Sequence, residues 1–76
     1  MIDKVEFQIR LGKQIEKLRK KLNLSYRQLA QRCDVDHSNL SKIEKGEINI
    51  QLSTLLEISK GLEVHPKELL DFEIES

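Results

Sequence analysis

The sequence predicts an all-α fold, a compact bundle of five short helices. Three observations carry this. Apolar residues recur at three- and four-residue spacing through most of the chain. Capping residues stand just ahead of these runs, and residues that tolerate a left-handed backbone stand just behind them. No alternating stretch persists long enough to make a strand that could pair.

Near the N-terminus Val5, Phe7 and Ile9 do alternate, but Leu11, Ile15, Leu18 and Leu22 impose a helical period. The first helix is therefore expected over about 5–22. Asn23 suits a left-handed position after it, and Leu24 can fold back on its last turn. Ser25 with Gln28 makes a capping box for a second helix over about 26–33, with Leu29, Ala30 and Cys33 on one face. Val35 plugs the corner that follows. Asp36 can cap a third helix over about 37–45, its carboxylate accepting from the N–H groups two and three residues on. Leu40 and Ile43 are its inward positions, and Gly46 provides the left-handed exit. A fourth helix, capped by Asn49 or Gln51, has its apolar positions at Leu52, Leu55, Leu56, Ile58 and Leu62. Gly61 weakens its last turn by up to ~1 kcal/mol relative to Ala. Val64 fills the next corner. His65 and Pro66 start a fifth helix, where the missing proline N–H costs nothing, and Leu69, Leu70 and Phe72 follow. The acidic last residues read as frayed.

Two helices joined by so short a turn cross steeply, which makes residues 25–46 a helix-turn-helix. Its second helix keeps one polar outward face: His37, Ser38, Asn39, Ser41, Lys42 and Lys45. Side chains of this kind can hydrogen-bond base edges in a major groove. With no Gly/Ser linker, repeat or low-complexity run, residues 1–76 read as a single domain.

Four segments carry a family resemblance: L-G-K-x-I-x-x-L-R at 11–19, L-S-x-x-x-L-A at 24–30, V-D-x-S-x-L-S-x-I-E-x-G at 35–46 and L-x-T-L-L-x-I at 52–58. Each is weak alone; together, in order and at these separations, they are specific. The chain resembles the lambda-repressor-like helix-turn-helix family, also called XRE or Cro-type, from about residue 11 to residue 70. The resemblance implies that His37, Ser38 and Lys42 are the main base readers, with Asn39 and Ser41 reaching bases or backbone. It implies phosphate contacts at the start of the second helix, from Ser25, Tyr26 and Arg27, and a further one from Lys45. Tyr26 stands where the family often has Gln, so the two-handed amide bridge to the third helix is missing. Glu47 occupies a position that is often basic in relatives. The resemblance also pairs Arg19 with Glu44 inside the domain, consistent with the rule that a buried charge persists only when paired.

Family members usually bind two half-sites about 34 Å apart, which requires a two-fold dimer. Region 50–74 is expected to supply the contact, through Leu56, Leu69, Leu70 and Phe72, with Ile74 beside them. The expected partners are double-stranded DNA with a palindromic operator and a second copy of the chain.

Composition bounds these expectations. Thirteen basic residues balance thirteen acidic ones, but residues 1–24 hold seven against three, and residues 49–76 hold two against six. A local positive face matters more to phosphate than the sum. The single cysteine, Cys33, cannot form an internal disulfide and lies at an apolar position, so it reads as a buried, reduced thiol. No span approaches the roughly 18 apolar residues of a membrane helix, and the charged N-terminus has no signal-peptide core; a cytoplasmic protein is expected. No catalytic or metal-binding motif occurs, and His37 and His65 are the only histidines. Neither an enzyme, a cofactor, a metal nor a small-molecule ligand is expected. The expected function is a sequence-specific DNA-binding transcriptional regulator, a dimeric repressor-type protein whose own concentration is its input. Alternatives are a restriction-modification controller or antitoxin-type regulator, and a protein-interaction module that kept the fold without DNA binding.

Overall fold

The computed structural model describes residues 3–73. They form four α-helices and a terminal 3-10 turn, with no strand among the described residues: α1 (Lys4–Lys21), α2 (Tyr26–Ala30), α3 (His37–Glu44), α4 (Leu52–Leu62) and the turn Pro66–Leu70. The first helix starts on Asp3, whose carboxylate accepts from the Val5 N–H at 3.3 Å. Glu6 in its first turn and Arg19, Lys20 and Lys21 in its last complement the helix dipole.

Three helices end in the same way. Asn23 is left-handed, φ 58°; its N–H donates to the Lys20 carbonyl and that of Leu24 to the Arg19 carbonyl. Gly46 (φ 73°) and Glu47 repeat the pattern on Ile43 and Lys42, and Glu63 (φ 59°) and Val64 repeat it on Lys60 and Ser59. Each closes two carbonyls that the helix leaves open.

Three expectations need correction. The second helix stops at Ala30 and tightens into a turn, the Arg32 N–H reaching the Leu29 carbonyl. The fifth element is a 3-10 turn, because five residues opening on Pro66 are too few for a ladder of four-residue bonds. His65 caps it, its Nδ1 accepting from the Lys67 N–H at 3.1 Å. Of the two caps expected for α4, Gln51 is the one that holds the position, though without a side-chain bond. Leu52, read as one of the apolar positions of α4, stands off the core and is 85% exposed.

The core is Leu11, Ile15, Leu29, Leu40, Ile43, Ile58, Leu62 and Leu69. Helix α3 packs on both α1 and α2, and the 3-10 turn on α1 and α4. Two glycines set close approaches. A Cβ on Gly12 would lie 2.4 Å from the Glu44 carbonyl oxygen and 2.5 Å from that of Ile43. A Cβ on Gly61 would lie 2.9 Å from Leu29 Cδ1, so the glycine that weakens the end of α4 also lets α4 settle on α2.

Candidate nucleic-acid interface

The expected recognition helix is held from behind. Arg19 Nε donates to Glu44 Oε2 at 2.7 Å and its second nitrogen to Oε1 at 3.0 Å, a two-pronged pair across 25 residues of sequence. Both side chains are buried, 9% and 1% exposed. The third guanidinium nitrogen donates to the Leu24 carbonyl at 2.6 Å, and the Tyr26 ring lies 4.3 Å from the guanidinium carbon. One cation thus ties the end of α1, the start of α2 and the end of α3 together. Its hydrogen bond to Glu44 raises the Arg19 pKa above the ordinary value, against the lowering effect of burial. The Tyr26 ring, expected at the phosphate contact, is half-buried in this stack.

The turn between α2 and α3 is braced from the other side. Arg32 pairs with Glu63, and the Asp34 N–H donates to Glu57 Oε1 at 3.2 Å. Neither contact is visible in the sequence, since each joins segments more than twenty residues apart with no local signal. The close approach at Gly12 is not read from the sequence either, although that glycine stands in the 11–19 segment that carries the family resemblance.

With its back fixed, α3 turns its polar face to solvent. His37, Ser38, Asn39, Lys42 and Lys45 are exposed and Ser41 is half-exposed, while Leu40, Ile43 and Glu44 are buried. Beside this face, Ser25 and Arg27 are exposed at the start of α2. The capping box is complete: Ser25 Oγ accepts from the Gln28 N–H at 3.1 Å, and Gln28 Oε1 from the Ser25 N–H at 2.8 Å. Asp36 departs from its expected role. It stands at the cap position of α3 but makes no side-chain bond to a backbone N–H. Its Oδ2 accepts from the Ser38 hydroxyl at 3.0 Å, and its Oδ1 lies 3.7 Å from His37 Nδ1. The nearby hydroxyl outcompetes the backbone for the carboxylate.

Cys33 is a free, half-buried thiol that donates to the Leu29 carbonyl at 3.3 Å. Burial raises its pKa, which disfavours the reactive thiolate. Among the described residues no helix is long and apolar enough to cross a membrane, and no three His, Cys, Asp or Glu residues gather as a metal site.

The residues expected at the dimer contact separate. Leu69 is fully buried in this chain's own core and has no surface to offer a partner. Phe72 is half-buried and packs edge-on against Phe7, ring centroids 5.5 Å apart. Leu56 and Leu70 are 44% and 45% exposed. Leu52 and Leu70 border an apolar groove of about 240 Å³ floored by Leu11, Ile43 and Leu55. Ile74 lies outside the described residues.

Comparison with known proteins agrees with this geometry. A family model described as helix-turn-helix matches residues 15–69. Control protein C.BamHI of Bacillus amyloliquefaciens is 42% identical over 62 residues, spanning 80% of this chain and 76% of that protein. The crystal structure of the restriction-modification controller protein C.AhdI from Aeromonas hydrophila superposes with a TM-score of 0.80 at 29% identity, covering 82% of this chain and 94% of that one. The controller protein C.Esp1396I, solved as a tetramer in complex with its natural 35 base-pair operator, superposes at 0.74 with 27% identity, over 86% of this chain and 96% of that one. The chain belongs to the lambda-repressor-like, Cro-type helix-turn-helix family.

Proposed function

We propose that the chain is a sequence-specific, double-stranded-DNA-binding transcriptional regulator of the restriction-modification controller kind, acting in the cytoplasm as a homodimer on a palindromic operator. The observation that carries this is the exposed polar face of α3, presented on a helix whose other side is locked to α1 by Arg19, Glu44 and the Gly12 contact. A rigid back and a free polar front suit a helix that enters a major groove. The likeness to C.BamHI and to operator-bound C.Esp1396I supports the same reading.

In this assignment His37, Ser38, Asn39, Ser41 and Lys42 face the bases. Lys42 can donate to the O6 and N7 acceptors of guanine. Ser25, Arg27, Lys45 and the hydroxyl of Tyr26 meet phosphates, and the Tyr26 ring keeps its place under Arg19. The second copy docks on the apolar end of the domain, within region 50–74. Leu52 and Leu56 lie one helical turn apart on α4, and Leu70 stands beside Leu52 at the groove. Phe72 packs on Phe7, which lines the same groove.

A salt titration of binding to duplex DNA tests the reading. The logarithm of affinity is expected to fall linearly with the logarithm of salt concentration, because each neutralised phosphate releases counter-ions. Lys45→Ala should lower that slope by about 1 on every sequence. An affinity indifferent to salt would instead favour a protein-interaction module, the reading that the exposed acids Asp36 and Glu47 beside α3 support.

A further inference from the structure

We propose that Asp36 is a positioning residue for base recognition: by taking the Ser38 hydroxyl proton it presents Ser38 to DNA as an acceptor, which selects a base carrying a major-groove amino group. The inference rests on the DNA-binding reading above and adds to it a direction of hydrogen bonding at one reading position.

The geometry is specific. A serine hydroxyl has one donor hydrogen and two acceptor lone pairs, and left free it is indifferent between acceptor and donor partners. Here the Oγ donates to Asp36 Oδ2 at 3.0 Å. A hydrogen bond to a carboxylate is roughly twice as strong as one between neutral groups, so a neutral base edge does not draw the proton away. The oxygen left facing outward only accepts. In the major groove adenine N6 and cytosine N4 donate, whereas guanine O6 and N7 and thymine O4 accept. Ser38 therefore favours adenine or cytosine and disfavours guanine or thymine. Asp36 is free to hold Ser38 because, although it stands at the cap position of α3, its carboxylate makes no bond to a backbone N–H of the helix. Its other oxygen faces His37 Nδ1 at 3.7 Å, so one carboxylate borders both side chains at the start of the reading face.

The carboxylate also has a cost on DNA. Asp36 is exposed at the face that approaches phosphates, so it repels the duplex as a whole while sharpening the choice at one base. Removing it is expected to move affinity and discrimination in opposite directions. Damage to the fold would lower both.

The test uses the full chain and duplexes selected from a random pool. The position governed by Ser38 is the one whose preference disappears in Ser38→Ala. At that position the wild type is expected to select adenine or cytosine. An analogue lacking only the amino group should cost the wild type roughly three- to ten-fold in affinity, the worth of one hydrogen bond, and cost Ser38→Ala nothing. Asp36→Ala should bind all duplexes at least as tightly as the wild type but lose the discrimination. Asp36→Asn, which keeps an oxygen for the Ser38 proton but loses the charge that holds it there, should retain only part of the discrimination, and the double variant Asp36→Ala with Ser38→Ala should behave at that position as Ser38→Ala alone does. A wild type that binds with a steep salt dependence yet selects guanine or thymine there, an Asp36→Ala that keeps wild-type discrimination, or a Ser38→Ala that changes no preference overturns the proposal while leaving DNA binding intact. A wild type with no salt-dependent duplex binding overturns both.

Discussion

The two ends of α3's surroundings contrast. Behind α3, where it meets α1, the buried charged groups are paired inside the chain. Arg19 is bonded on all three nitrogens, Glu44 on both oxygens, and Gly12 lets the backbones touch. At the other end, where the 3-10 turn meets α4, Leu69 is sealed in the core but Leu52, Leu56 and Leu70 are left in water, Leu52 and Leu70 at the rim of an apolar groove. The first region is complete as a monomer. The second leaves apolar side chains open, and it is here that the proposed second copy would dock. A small domain can fix one helix with a single buried ion pair and still leave several leucines in water elsewhere.

The largest effect that could break this contrast lies in the completed region. Arg19→Ala should cost about 3–5 kcal/mol, because it leaves Glu44 charged and buried without a partner. Lys20→Ala is the control. Its pair with Glu16 is long at 3.8 Å and solvent-exposed, and such pairs contribute about 0–1 kcal/mol. Urea unfolding of both variants measures the difference, and equal small losses would mean the pair does not hold α3. Leu69→Ala comes next at about 2–5 kcal/mol, as for any core leucine that leaves a cavity. Gly12→Ala follows at about 1–3 kcal/mol, since its methyl would sit 2.4 Å from a backbone oxygen that has no side-chain freedom to yield. It should also weaken DNA binding, by pushing α3 away from its support.

Much of this was legible in the sequence where the cause is local. The Ser25 capping box, the left-handed Asn23 and Gly46, and His65 before Pro66 all depend on partners within about one helical turn, and the residues name them. Arg19 with Glu44 is a different case: 25 residues separate them, and the expectation came from family likeness alone. What escaped the sequence had competing local answers or none. Asp36 had two acceptable partners within three residues, a backbone N–H and a hydroxyl, and their energies are similar. Leu52 opens α4, where no preceding turn fixes which face it joins. Leu69 and Leu70 are neighbours of the same type, and only the 3-10 geometry decides which enters the core. The braces from Arg32 to Glu63 and from Glu57 to the Asp34 N–H join distant segments that carry no shared pattern.

The smallest effect on folding bears most directly on the open region. Leu52→Asp and Leu70→Asp replace exposed side chains, so neither should disturb the monomer by more than about 0.5 kcal/mol. Their effect should appear in assembly. A charge set into an apolar two-fold interface is repeated by symmetry, so each substitution puts two carboxylates into one contact. The wild type is expected to sediment as a dimer at micromolar concentration, and the variants as monomers. Linkage supplies an internal check. If dimerisation stabilises the fold, the wild-type thermal midpoint must rise with protein concentration, while the variants' midpoints stay flat and meet the wild-type value on dilution. Variants that melt well below the diluted wild type would show that Leu52 and Leu70 support the monomer core and that this region too is complete. A wild type that stays monomeric, alone and on a palindromic duplex, would remove the dimer and leave the three leucines as ordinary exposed apolar surface.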